Sequence, residues 1–315
     1  MLMKVYYLKP KSSFRTKLPS DTLWGMIIGA LSYLYDENYI KDLISKFVNG
    51  KPPFMLSSCF PFKNEGSQIV HYLPMPLSGL NIDSSNIEYN KRKDLKKMNF
   101  VRLDLFNELI NKTSDNSILQ KLTLAQKPDF FKSETNVKIK INRLTTSTQD
   151  EEGKGQLYNS VENYFINGGY YFIIDGDSSI IEPALRLLSH NGFGAYTSKG
   201  KGHFQFNSGE IELQIPNNYN HWLTLSLYHP TDYELDEYKK QPDSLWYETK
   251  IKKGKIGNQF RVNKDFNKKP VLNFIEGSVF PNIDQTLYGT MTKTYEYDNF
   301  NIYNCGYAFK LPILI

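Results

Sequence analysis

Gly192-Phe193-Gly194-Ala195-Tyr196-Thr197-Ser198-Lys199-Gly200-Lys201-Gly202-His203 separates a helical pattern from a strand pattern, and its reading decides the fold. Upstream, Ala184, Leu185, Leu187 and Leu188 mark a helix that begins near Ser179 or Pro183 and ends at Asn191 and Gly192, where a left-handed cap is easy. Downstream, His203 to Phe206 reads as a strand. Helix, glycine loop, strand is the reverse of the order in a nucleotide P-loop. Gly194 and Gly200 are also one residue too far apart for that motif, and Gly202 stands where Ser or Thr would reach magnesium. Thr197 takes the place of the third glycine of a dinucleotide fingerprint. What remains is four glycines and two lysines in one loop, whose amides lack side-chain cover and can cradle phosphates. A long turn with two solvated lysines accounts for the composition equally well.

Before this loop the chain alternates elements in a recognisable order. Lys4 to Leu8 reads as a strand, followed by a basic connector, Lys9 to Lys17, that carries Lys9, Lys11, Ser12, Arg15 and Lys17. Pro19, Ser20 and Asp21 start a helix running to about Tyr35, with Leu23, Ile27, Leu31 and Leu34 on one face. A second helix, Tyr39 to Val48, turns Ile40, Leu43, Ile44 and Phe47 inward and stops at Gly50 and Pro52; Phe54 to Phe62 then reads as one strand. From Asn81 to Glu134 lies a polar, lysine-rich insertion with one clear helix, marked by Leu105, Phe106, Leu109 and Ile110. Val137, Ile139 and Ile141 alternate with polar residues as a half-buried strand with a basic outer face. Thr145 to Gly155, with Asp150, Glu151 and Glu152, reads as a mobile loop, and Asn167-Gly168-Gly169 joins Val161–Ile166 to Tyr170–Asp175 as a hairpin.

The order strand, helix, strands, helix, strand over residues 4–207 is a split βαβ arrangement. The expected fold class is therefore α+β. An RRM-like or ferredoxin-like domain spans 1–215, with an insertion at about 81–160, and a smaller β-rich or degenerate ferredoxin-like domain spans 216–315. In that second half, strands are expected at Trp222–Tyr228, Leu245–Ile251, Val271–Ile275 and Tyr307–Leu314, with no long helix.

The composition excludes several classes. With 315 residues, 40% hydrophobic and 14% aromatic, the chain can bury a substantial core. Its net charge of +5 is the small remainder of 38 basic and 33 acidic residues, so local clusters must carry any electrostatic argument. Cys59 and Cys305 fit neither a disulfide framework nor a zinc spacing, and no apolar run is long enough for a membrane span, which together suggest a cytoplasmic protein. Asp175 and Asp177 lie in a strand-to-helix turn, where turn chemistry outweighs metal binding. Neither a metal nor a cofactor is expected. His203 adjoins the glycine loop and is the one histidine placed to act on RNA as a general acid or base, although phosphate contact or packing suits it better. The basic runs Lys91–Lys97, Lys250–Lys255 and Lys264–Lys269 read as solvated faces, with nucleic-acid contact as the lesser reading.

Several further segments carry a resemblance. Pro19-Ser20-Asp21-Thr22-Leu23-Trp24-Gly25, Asn142-Arg143-Leu144-Thr145 with Gly155-Gln156-Leu157-Tyr158, the glycine loop, Glu276-Gly277-Ser278 and the ending Cys305–Pro312 occur in order. Together they resemble the RAMP-type subunit that caps the crRNA 5′ end in type III-A CRISPR Csm effector complexes. The resemblance implies an RNA-binding subunit of antiviral defence that performs no chemistry. It would hold the crRNA 5′ tag, contact the large polymerase-like subunit and abut the first backbone RAMP subunit. The RNA path would be lined by Lys9, Lys11, Ser12, Arg15, Lys17, Ser20, Asp21, Thr22, Asn142, Arg143 and Thr145. From the glycine loop it would take Gly192, Gly194, Ser198, Lys199, Gly200, Lys201, Gly202 and His203. Part of the middle region would act as a thumb between tag and guide. A metal-independent endoribonuclease of the crRNA-processing class, using a histidine such as His203, is the alternative.

Overall fold

The computed structural model describes residues 1–15, 17–77, 97–111, 118, 121–122, 124, 128–148, 154–256, 267–297 and 300–315. Its central sheet grows from β1 (Leu2–Pro10), whose side chains are buried on both faces at Val5, Tyr6, Tyr7 and Leu8. On one side β1 pairs antiparallel with β8 (Gly168–Gly176), Tyr6 opposite Phe172, and on the other with β9 (Phe204–Glu212), Tyr6 opposite Ser208. Beyond β8 lie β3 (Phe60–Glu65), β4 (Gln68–Pro74) and β5 (Phe100–Arg102), with β2 (Phe54–Leu56) also on β8. The run β3-β8-β1-β9 is the antiparallel order of a ferredoxin-like βαββαβ unit. The α+β class is thus the observed one.

Each face of the sheet has its own cover. Tyr6, Leu8, Phe172 and Ile174 pack under α1 (Ser20–Leu34), α2 (Glu37–Val48) and α4 (Ile181–Asn191). Val5, Tyr7, Tyr171 and Ile173 pack against α3 (Leu103–Ile110), whose Phe106 and Ile110 are fully buried. The same cluster takes in Leu223, Leu225, Val279, Phe309, Leu311 and Ile313 from the C-terminal third. That third forms the three-stranded sheet β13-β10-β16 (Val279–Pro281, His221–Thr224 and Lys310–Ile313). It also contributes the short helix α5 (Asp232–Lys239) and two ribbons, β11–β12 (Thr249–Lys252, Val271–Phe274) and β14–β15 (Met291–Tyr297, Phe300–Cys305). No long helix appears there among the described residues.

Three expectations need correction. Phe54–Phe62 is two strands, because the main chain at Ser58 and Cys59 leaves the ladder: the Ser58 amide donates to Leu225 O and the Cys59 amide to Leu18 O. Val161–Ile166 and Tyr170–Asp175 do not form a hairpin with each other. β7 (Leu157–Phe165) instead pairs with β6 (Phe131–Ile139), while β8 enters the central sheet. Gly168 and Gly169 serve close packing, since a Cβ on them would lie 2.0 Å from Phe62 O and 2.4 Å from Leu8 O. Finally, the Val137 strand is not half-buried: Val137 is 65% and Ile141 58% exposed, because β6–β7 is a two-stranded ribbon outside the central sheet. The Asp150–Glu152 stretch and Lys91–Lys96 lie outside the described residues.

One polar group inside the sheet sets a pH response. His71 Nε2 lies 2.8 Å from Tyr7 Oη, and burial holds its imidazole down at about 4. The unfolded chain takes up this proton near pH 6.5 and the folded one only near 4, so the stabilisation is complete above 6.5 and declines as pH falls through that window. We expect stability to fall by on the order of 2 kcal/mol between pH 7 and 4, allowing for partial solvent contact. His71→Gln should flatten this part of the profile, read as melting temperature against pH; an unchanged profile would refute the assignment.

Candidate nucleic-acid interface

The connector after β1 and the loop before β9 are laced together by main-chain hydrogen bonds. The Lys11 amide donates to His203 O (2.8 Å), the Gly202 amide to Ser13 O (2.9 Å) and the His203 amide to Ser12 Oγ (3.0 Å). Two basic segments 191 residues apart at Ser12 and His203 thereby share one surface, since β1 and β9 are neighbours in the sheet. Lys9, Lys11, Arg15 and Lys17 are exposed there, as are Gly194, Ser198, Lys199 and Gly200.

Tyr196, at the apex of the bend, has a left-handed backbone (φ 67°), rare for a residue with a large side chain and a pointer to function. The Arg15 guanidinium sits 5.0 Å and the Lys199 ammonium 4.8 Å from its ring centroid. Lys199 Nζ also donates to Tyr158 Oη at 3.2 Å. Cations beside partly exposed aromatic rings are the groups that hold a single nucleic-acid strand, by phosphate charge and by stacking. The interleaving of Tyr196 with Lys199 and Lys201 is visible in the sequence, whose reading rests on the glycines and lysines and gives the tyrosine no role.

The bend is more rigid than its glycines suggest. Gly192 (φ 81°) caps α4, donating to Leu188 O, and the amides of Phe193, Lys199, Gly200, Lys201 and Gly202 all donate to main-chain carbonyls of the protein. Main-chain amides at these positions are therefore engaged, which corrects the picture of a bare amide cradle. The charged and aromatic side chains remain as the groups available to a ligand.

Lys201 is engaged too. Its Nζ lies 2.6 Å from Glu162 Oε2, and Lys138 Nζ lies 2.5 Å from the other carboxylate oxygen. Ser13 Oγ donates to Glu162 as well, at 2.9 Å. The Glu162 side chain is only 4% exposed, and hydrogen bonds from Lys138, then Lys201, hold its carboxyl down at about 2. This node ties bend, connector and ribbon together. Beneath it Phe14 stacks on Phe165 (4.9 Å) and packs edge-on against Phe131 and Tyr170, while Phe14 and Asn163 exchange two main-chain hydrogen bonds. Neither Glu162 nor Phe14 was legible as a site residue, because each matters only through partners remote in sequence.

The other expected residues fall elsewhere. Asn142, Arg143 and Thr145 are exposed at the far end of β6–β7, past the strand ends, where Asn142 bridges Ser147. Ser20 is buried: its hydroxyl accepts from the Leu227 amide and its amide donates to Ser58 Oγ, so it docks the C-terminal third and presents no hydroxyl to a ligand. Asp21 pairs with Lys252 (3.3 Å), and Thr22 Oγ1 accepts from the same ammonium. Asp177 accepts from the Ser179 amide and hydroxyl, as turn chemistry requires. Among the described residues no group of three or more His, Cys, Asp or Glu could hold a metal ion, and no helix is long and apolar enough to cross a membrane.

Residues 217–313 match the family described as the CRISPR Csm4 C-terminal domain. The chain is similar to the Csm4 proteins of CRISPR systems. It is 27% identical over 238 residues to the Csm4 protein of Thermococcus onnurineus, covering 71% of this chain and 74% of that one. Against the Streptococcus thermophilus Csm4 protein the identity is 22% over 233 residues, covering 72% and 70%. Among solved structures, a Csm1–Csm4 cassette in complex with cA4 superposes with a TM-score of 0.65 at 20% identity, over 99% and 98% of the two chains. A Csm3–Csm4 subcomplex of the type III-A interference complex gives 0.63 at 18%, over 99% of each.

Proposed function

We propose that this chain holds the 5′ tag of crRNA by its backbone, as a non-catalytic cytoplasmic subunit of a type III-A effector complex. The observation that carries the reading is the meeting of Arg15 and Lys199, from two sequence-distant segments, on the Tyr196 ring. Phosphate contacts of this kind position a strand without reading its bases. The ribbon β6–β7, with Asn142, Arg143 and Thr145 at its tip, is the candidate thumb between tag and guide. The solved relatives, named as Csm1–Csm4 and Csm3–Csm4 assemblies, support a large polymerase-like subunit and a backbone RAMP subunit as its neighbours.

Arg15→Ala with Lys199→Ala should weaken RNA binding whatever the sequence. The slope of log affinity against log salt should drop by about 1.4, for two single-strand contacts at about 0.7 each. An unchanged affinity and slope would defeat the proposal. The endoribonuclease reading rests on His203 beside the bend, where the described hydrogen bonds engage its main chain. Repeat RNA incubated with the purified chain and a chelator should stay intact; cleavage that vanishes in His203→Ala would establish the enzyme instead.

A further inference from the structure

We propose that the lysine-rich end of ribbon β11–β12 is a second phosphate-contact surface, on which single-stranded RNA continues beyond the bend. The inference rests on the RNA-binding reading above and extends its footprint to the C-terminal third. Lys250, Lys252, Lys253 and Lys255 lie along one arm, and Lys268 and Lys269 along the other. Lys252 is opposite Val271, Lys255 bridges Asn267, and the Lys268 amide donates to Gly254 O at 2.9 Å, so both sets of lysines gather at one end of the ribbon. Lys250, Lys253, Lys255 and Lys269 are exposed.

This end of the ribbon docks on the first turn of α1. Lys252 Nζ lies 3.3 Å from Asp21 Oδ1 and 3.1 Å from Thr22 Oγ1. Lys268 is half-buried beside the same pair; burial pushes its ammonium down, Asp21 opposes that and Lys252 adds to it. Lys252 pairs with that carboxylate and Lys268 stands beside it, and the local excess of positive charge favours an added anion. Lys17 precedes Asp21 by four residues, about 14 Å of chain at most. Arg15, Lys17 and, through Asp21, the ribbon lysines thus follow one another along the connector as a succession of cations. A phosphodiester chain, with one charge per nucleotide, suits such a succession, and lysine meets phosphate as a point charge. Protein interfaces, by contrast, are depleted in lysine at their centres.

The test is Lys250→Ala/Lys253→Ala/Lys269→Ala in the full chain, titrated with fluorescent single-stranded RNAs of about 8 and about 16 nucleotides. Arg15→Ala/Lys199→Ala serves as comparison. The longer RNA should bind more tightly to the parent chain, and the triple variant should lose that gain, with its salt slope lowered by about 2 (three contacts at about 0.7 each). Melting temperature should not move, since these three side chains are exposed. Parent-like binding of both RNAs by the triple variant, or no binding by any form, overturns the proposal. So does loss of binding to polyglutamate with RNA binding intact, which would make the surface a protein interface. If the bend variant binds like the parent while the triple variant loses the gain, the bend assignment falls and the ribbon assignment stands.

Discussion

Gly202→Ala is expected to cost the protein about 3 kcal/mol, combining left-handed strain with overpacking. Gly202 has φ 75°, and a Cβ there would lie 2.1 Å from Phe193 O and 2.8 Å from Phe193 N. Those are main-chain atoms held by the Phe193 amide to Gly202 O bond, so the alanine cannot be relieved by turning a side chain. The bend must open, and with it the Gly202 amide to Ser13 O bond that holds the connector. Thermal unfolding should show the loss, and RNA binding should fall at least as far as in Arg15→Ala/Lys199→Ala. Gly200→Ala is the control: its φ is also positive, at 75°, but its Cβ meets nothing within 4 Å, so the loss there should be limited to about 1 kcal/mol of strain. Equal stability of the two variants would show that the bend is not packed as described.

Glu162→Ala should cost about 2 kcal/mol, because it leaves Lys138, Lys201 and the Ser13 hydroxyl without the acceptor they share. The larger effect is mechanical. With the node gone, amide exchange should accelerate along β6–β7 and in the bend while the central strands β1 and β8 stay protected. The carboxyl ordinarily titrates near 4.5 and is held at about 2, so its contribution is fully present above pH 4.5 and is lost as pH falls toward 2. Glu162→Gln should reproduce the loss at neutral pH and remove that acid-range dependence. Exchange rates in the ribbon that match the parent would show that Glu162 does not anchor it.

These expectations show where sequence reading ends. The helix faces were legible from spacing alone, because Leu23, Ile27 and Leu31 repeat at helical intervals and all are buried. The capping glycine at Gly192 was legible for the same local reason. The Asn167-Gly168-Gly169 turn was misread because the glycines answer to Phe62 and Leu8, carbonyl neighbours contributed by other strands. Lys201 and Lys199 stand two residues apart with the same side chain, yet one is tied to a nearly buried carboxylate and the other lies over an aromatic ring. Nothing local distinguishes them, since Glu162 reaches the bend only through the ribbon.

What the amino-acid order determined by itself is the alternation of strand and helix, the glycine-rich link before the last strand of the unit, and the presence of two basic segments. These follow from backbone preferences and hydrophobic spacing, which act over a few residues. Only the tertiary structure decided that those segments lie side by side, that Tyr196 stands between Arg15 and Lys199, and that Ser20 is spent on docking the C-terminal third. Pairing β1 with both β8 and β9 is what brings the connector to the bend, and strand pairing between remote segments is selected by the burial of both sheet faces together.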